Sequence, residues 1–235
     1  MASAEAPIRR TALVTGGTRG IGLEVVRGLA TLGYRILAVG RDPGTAKIAT
    51  ESLGRAADQV SFLLADLGSR TEVRALAESV ALQSPVLDLL IHNAAVVRPT
   101  RGLTPDGDEW QWAVNHLAPF LLTSLLFPAL ARSTAGRVVI TASQVERGGS
   151  IDFDDLTLAH GYTPASAYGR SKLANVMFCY ELARRIDGSG VTANCLHPGV
   201  VRTGLLDTLQ RVRQKPSRSL AAAAAEVGSD GAMAP

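Results

Sequence analysis

Residues 15–22 read Thr-Gly-Gly-Thr-Arg-Gly-Ile-Gly, four glycines in eight positions directly after the apolar run Ala12-Leu13-Val14. Glycine inside a strand or helix costs roughly 0.5–1 kcal/mol relative to alanine. A cluster this dense marks a sharp turn, a close approach of bare backbone to another group, or both. Residues 11–14 have the composition of a buried strand, and residues 20–32 carry a helical pattern. Strand, glycines and helix in that order form the turn at which a doubly wound sheet holds phosphates. The helix N-terminus there supplies unpaired N–H groups, and the glycines let the backbone come close to a pyrophosphate.

The rest of the chain agrees with such a sheet. Short apolar runs at Thr11–Val14, Ile36–Val39, Val60–Leu64, Leu87–Ile91, Val138–Ile140 and Val191–Leu196 read as strands buried on both faces. Helical patterns near 20–32, 45–55, 70–83, 108–131 and 166–187 separate them. The expectation is an α/β protein: one doubly wound domain over residues 11–205, with a six-stranded parallel sheet covered by helices on both faces. Residues 1–10 read as a flexible N-terminus and 206–235 as a tail.

Composition narrows the function classes. Of 235 residues, 46% are hydrophobic and 19% charged, and the formal net charge is +3. The basic residues are scattered, so nucleic acid is not expected as a partner. The N-terminus lacks the apolar core of a secretory signal. The longest apolar run, Leu117–Ala131, contains Pro119 and Pro128, is short for a bilayer, and predicts no membrane span. Cys179 and Cys195 read as two buried thiols of a reducing, cytoplasmic compartment. His92, His116, His160 and His197 have no metal-ligand spacing and read as structural.

Four residues carry chemistry. In the run Tyr168-Gly-Arg-Ser-Lys172, the tyrosine and lysine are four apart and share a helix face. Alone this spacing is usually a solvated face. An ammonium beside a phenol lowers its pKa from about 10 toward neutrality, which suits a proton donor to a carbonyl oxygen or acceptor from an alcohol. Ser143 follows the strand Val138–Ile140 and can hold a substrate oxygen, although turn and cap serines are commoner. Asn115 stands inside a helical run, where asparagine is a poor helix former.

The glycine spacing Gly16-x-x-x-Gly20-x-Gly22, with Asn115, Ser143, Tyr168 and Lys172 in that order, resembles the short-chain dehydrogenase/reductase family. The resemblance extends to His92-Asn93-Ala94-Ala95, where the family has Asn-Asn-Ala-Gly, to Asp66-Leu67 at the adenine, and to Pro198-Gly199 with Val201 and Thr203 at the nicotinamide. It implies a Rossmann fold with six or seven strands and a hydride exchanged between a nicotinamide and a carbonyl or alcohol. In that scheme Tyr168 moves the proton, Ser143 holds the oxygen, Lys172 binds the nicotinamide ribose and lowers the tyrosine pKa, and Asn115 holds a relay water. The glycine turn with Thr18, Arg19 and Ile21 would bind the cofactor. Gly40 stands where NAD-binding members carry an acid, and Arg41 and Arg19 are at hand for a 2′-phosphate, so NADP(H) is expected. Asp42 is the counter-indication, favouring NAD(H). Helices apolar beyond one stripe, near 108–131 and 166–187, imply a homodimer or tetramer. An NADP(H)-binding sensor or scaffold without turnover is the alternative.

The long segment between Ser143 and Tyr168, with Ile151-Asp-Phe-Asp-Asp-Leu156 and Ala167–Asn175, resembles the retinol dehydrogenase and protochlorophyllide reductase branch and hints at a bulky apolar substrate. After Thr203 the usual seventh strand is not evident. Arg211–Arg218 is basic, Ser219–Glu226 could form a helix, and Val227–Pro235 reads as disordered. An open substrate pocket is the corresponding expectation.

Overall fold

In the computed structural model, residues 10–199 are described. Six strands form one all-parallel sheet: β1 (Thr11–Thr15), β2 (Arg35–Gly40), β3 (Val60–Leu64), β4 (Leu89–His92), β5 (Arg137–Thr141) and β6 (Thr192–Leu196). Their spatial order is β3-β2-β1-β4-β5-β6, so the winding direction reverses between β1 and β4. Side chains of a strand alternate between faces, and β1 feeds two cores. Leu13 joins Leu37, Val39, Leu90 and Val138 on one face, beneath α3 (Arg70–Gln83), α5 (Ala118–Ala131) and α6 (Pro164–Arg185). Val14 joins Ile36, Ala38 and Ile91 on the other, beneath α1 (Gly20–Thr31) and α2 (Pro43–Leu53).

The central strands are as buried as their composition predicts, but β3 and β6 are not: every residue of each keeps some exposure. Among the described residues both are sheet edges, with a neighbour on one side only.

Three of the longer helices begin where the chain supplies a cap. Asp42 accepts from the Thr45 N–H at 2.6 Å ahead of α2, and Ser69 caps α3. Thr163 and Ser166 form a reciprocal capping box at α6, with Pro164 at its first position.

A short helix α4 (Trp110–Trp112), a π-turn over Ala113–Leu117 and α5 run on as one helix of 22 residues, long and apolar enough by composition to cross a membrane. This corrects the expectation that Pro119 and Pro128 interrupt it. Pro119 stands in the first turn of α5, where proline is tolerated, and Pro128 lies inside the helix without ending it. More than half of this helix is buried inside the fold, with Leu122, Leu126 and Leu130 against the sheet.

The apolar side chains of α6 are divided, with Cys179, Phe178 and Leu182 on the core. Its buried face is largely polar, comprising Tyr168, Arg170, Ser171, Lys172 and Asn175, while Met177 and Tyr180 are exposed. Cys179 is buried and Cys195 only half-buried; both are thiols. Val201, Thr203 and the readings made for 206–235 lie outside the described residues.

Candidate active site

The glycine turn lies at the carboxyl ends of β1 and β4, where the sheet reverses, the place at which doubly wound sheets bind ligands. Gly16 and Gly20 have φ of 67° and 55°, in the left-handed region. A Cβ on Gly22 would stand 2.1 Å from the Gly16 carbonyl oxygen, so the turn closes only with glycine there. Asn93 locks it from β4's side. Its Nδ2 donates to the carbonyls of Thr15 (3.2 Å) and Gly16 (3.3 Å). Thr15 Oγ1 accepts from the N–H groups of Asn93 and Ala94, at 3.1 and 3.2 Å. Thr15 was not singled out in the sequence, and its place at the end of β1 was the available signal.

In contrast to α2, α3 and α6, α1 starts without a side-chain cap: Arg19 occupies that position in extended geometry and makes no capping bond. Its first N–H groups remain available beside the exposed Arg19 and Gly20. These donors, at the switch point, fit a dinucleotide pyrophosphate.

Around the end of β2, Thr18 is buried, and its Cγ2 would stand 2.4 Å from a Cβ on Gly40. The Asp42 carboxylate is taken up by Thr45, accepting from its N–H and, at 2.7 Å, its hydroxyl. Those bonds hold its pKa below the usual carboxylate value. Arg41 is exposed, 3.8 Å from Asp66. Asp66 in turn accepts from the Gly68 N–H at 2.8 Å, which shapes the Asp66-Leu67 turn.

The reacting end is built from β5, the segment after it, and α6. Ser143 follows β5 and opens a 3-10 turn over Gln144–Gly148. The Ser143 side chain is near enough to the Tyr168 phenol to favour its ionised form. Lys172 is 2% exposed; its Nζ donates to the Thr141 carbonyl at 2.7 Å and lies 5.5 Å from the Tyr168 ring centroid. Burial lowers the lysine pKa to about 8. Burial also raises that of Tyr168 above 10, opposed only by the nearby Ser143. Desolvation, not Lys172, is thus the largest influence on the phenol, whereas the sequence led to an expected lowering by Lys172.

Asn115 sits in the π-turn, fully buried. Its Oδ1 accepts from the Val96 N–H (2.8 Å), and its Nδ2 donates to the Val96 carbonyl (3.0 Å) and Ser171 Oγ (3.1 Å). Its own carbonyl accepts from Asn175 Nδ2 at 2.8 Å. Asn115 thus ties the segment after β4 to α6, with every polar side-chain atom engaged. Ser171 and Asn175, the partners on α6, were legible only as parts of the Tyr168–Asn175 run.

His92 is buried with Nε2 2.7 Å from Thr123 Oγ1, and burial lowers its pKa to about 3. His116 bonds Asn175, whereas His160 and His197 are exposed loop residues. Pro198 and Gly199 follow β6, and the Gly199 N–H donates to His197 Nδ1 at 3.3 Å.

Residues 10–214 match the family model for short chain dehydrogenase. Retinol dehydrogenase 14 of Homo sapiens is 40% identical over 211 residues, covering 83% of this chain and 63% of the relative. Polyprenol dehydrogenase of Homo sapiens is 39% identical over 205 residues, covering 83% and 61%. The chain thus spans less than two thirds of the length of these curated relatives. Among solved structures, an uncharacterized protein from Mycobacterium Paratuberculosis aligns with a TM-score of 0.74 at 36% identity, over 84% of this chain and 71% of that one. The Pseudomonas aeruginosa RhlG/NADP active-site complex aligns at 0.70 and 28%, over 92% and 80%. An NADPH-bound carbonyl reductase from chicken fatty liver aligns at 0.66 and 26%, over 84% and 82%.

Proposed function

We propose, from the premise that this chain belongs to the short-chain dehydrogenase family, that it is an NADP(H)-dependent oxidoreductase acting on a carbonyl or alcohol, with Tyr168 as general acid and base. The observation that carries this reading is Lys172, buried 5.5 Å from the Tyr168 ring centroid and held by the Thr141 carbonyl at the end of β5, with Ser143 just beyond in the chain. The bound nicotinamide would supply or accept the hydride.

The chain's residues do the remainder. Ser143 orients the substrate oxygen toward Tyr168. The phenol, raised by burial, keeps its proton at neutral pH and in the reduction direction donates it to that oxygen. Lys172, with a pKa of about 8, is largely an ammonium at neutral pH and steadies the phenolate left behind. Asn115 keeps the segment after β4 in register with α6.

The glycine turn from Gly16 through Thr18, Arg19, Gly20 and Ile21 to Gly22 would hold the pyrophosphate with α1. Asp66 and Leu67 would meet the adenine, and Asn93, Ala94, Pro198 and Gly199, with Val201 and Thr203, the nicotinamide end. NADP(H) is favoured over NAD(H) because Gly40 has no room for an acid beside Thr18, Asp42 is committed to α2, and Arg19 and Arg41 are exposed at the same edge. The complexes of RhlG and chicken carbonyl reductase with NADP(H) support that choice. The names of the retinol and polyprenol dehydrogenases support a long apolar substrate. Exposed Phe120, Met177 and Tyr180 on α5 and α6 support a homodimer, and the two thiols a cytoplasmic setting.

The test is a fluorescence titration of the purified protein with NADPH and NADH, followed by NADPH oxidation over a panel of aldehydes, ketones and quinones. NADPH should bind more tightly. Tyr168→Phe should bind it equally while losing at least about 100-fold in turnover. Equal affinity for the two cofactors would overturn the NADP(H) assignment, and a fully active Tyr168→Phe the mechanism.

A further inference from the structure

Arg170 stands between Tyr168 and Lys172, yet the chemistry proposed above gives it no task. It is 2% exposed, among the largest fully buried side chains of the protein. Its guanidinium lies 4.6 Å from the Trp112 ring centroid. Nη1 donates to the carbonyls of Asp155, at 3.2 Å, and Leu156. Nη2 is 3.7 Å from Oε2 of Glu109, a fully buried carboxylate. Glu109 also starts α4 by accepting from the N–H groups of Gln111 and Trp112, both at 2.9 Å. An apolar side chain of similar volume would pack here without the desolvation cost of two buried charges. The bonds to Asp155 and Leu156 are what an apolar residue could not make.

Those two residues belong to the long segment between Ser143 and Tyr168. Its first part is seated on α6 at Gly149, where a Cβ would stand 2.7 Å from the Gly169 carbonyl oxygen. Asp155 closes the loop on itself, its carboxylate accepting from the N–H groups of Ala159 (2.7 Å) and His160 (3.0 Å). Leu158 has φ 47°, a left-handed conformation that a branched residue keeps only when its surroundings enforce it. From the segment after β4, Arg101 Nε donates to the Thr157 carbonyl at 3.2 Å. Tyr162 accepts from Gln111 Nε2 at 2.9 Å and donates to the Arg98 carbonyl at 2.9 Å.

We infer that Arg170 is a positioning residue: it fastens residues 151–163 to the catalytic helix and to the start of the Asn115 helix, and so sets the wall that a bulky substrate meets. The substrate part of this inference rests on the oxidoreductase reading. A loosened wall would disturb a long substrate that touches it and leave a short one, and the cofactor, largely unaffected.

The test uses the full chain with Arg170→Met, Arg170→Lys and the double variant Glu109→Gln/Arg170→Met, which removes the unpaired buried carboxylate and keeps an acceptor at the cap. Decanal and butanal are the probes, with NADPH, and amide hydrogen exchange is followed over residues 151–163. In both methionine variants the KM for decanal should rise about tenfold, that for butanal less than about threefold, and kcat and NADPH affinity should change little. Exchange over 151–163 should quicken while β1–β4 stays protected. Arg170→Lys should restore part of the decanal KM. Wild-type KM and exchange in the double variant would overturn the inference and leave Arg170 a counter-charge for Glu109. Should the wild type reduce neither aldehyde with NADPH, the oxidoreductase reading fails separately. Exchange then decides the fastening role, and an unchanged pattern overturns it. If Arg170→Met alone does not fold, the other two variants carry the same comparisons.

Discussion

The glycine turn after β1 and the Tyr168 face of α6 are built in opposite ways. The turn is backbone: left-handed glycines, a helix start without a side-chain cap, and an asparagine holding two carbonyls. The helix face is side chain: Tyr168, Arg170, Ser171, Lys172 and Asn175, all buried and engaged with β5, the π-turn and the segment after Ser143. A turn made of backbone works because atoms are missing from it, and it fails when one is added. A face made of buried polar side chains works because each has a partner, and its protonation is set by desolvation more than by near neighbours in sequence.

The largest expected effect is at the turn. Gly22→Ala puts a Cβ where the Gly16 carbonyl stands, 2.1 Å away, and neither atom is a flexible chain end. NADPH affinity should fall about 100-fold and stability by about 2–3 kcal/mol, read by fluorescence titration and urea unfolding. A variant that binds normally would show the turn to be more plastic than its geometry implies.

On the helix face, Lys172→Met should separate function from stability. Turnover should fall at least about 100-fold. Stability at pH 7 should rise by about 1–2 kcal/mol, because a lysine pKa lowered from 10.5 to about 8 marks an ammonium that burial disfavours. Between those pH values the unfolded lysine holds a proton that the folded one has released, so the wild type gains stability as pH rises. The advantage of the methionine variant should therefore shrink from pH 8 toward 10.5. A denaturant series across that range checks it, and a constant difference would show that the lysine is not strained by burial.

The smallest effect concerns cofactor choice. Gly40→Asp alone should weaken NADPH binding without gaining NADH, since its Cβ meets Thr18 Cγ2 at 2.4 Å. Adding Thr18→Ala removes that methyl and should improve NADH affinity about tenfold over the single variant. No gain would mean that the Thr18 contact does not control this edge.

The order of elements was legible because each depends on local chemistry. Apolar runs bounded by turns gave the six strands in sequence, and the helical patterns between them gave the helices that cover the sheet. The candidate tetrad was legible for a similar reason: phenol and ammonium four apart must share a helix face. The partners were not. Nothing near Lys172 in the chain says that the Thr141 carbonyl holds it, nor that Glu109 faces Arg170. The split of α6 was not legible because residue type does not reveal which side is buried: Cys179, Phe178 and Leu182 pack on the apolar core, while Tyr168, Arg170, Ser171, Lys172 and Asn175 are buried beside the site.

The sequence by itself therefore determined the parallel sheet, the turn that needs glycine, and which residues could react. These follow from conformational limits and periodicities that act within a few residues. Only the tertiary structure decided that burial raises the Tyr168 pKa, that Asn115 is a strut with no free polar atom, and that the Thr141 carbonyl holds Lys172. Each outcome depends on which distant groups exclude water from a side chain or bond to it. Burial and pairing are properties of the packed molecule, and no short stretch of the chain carries them.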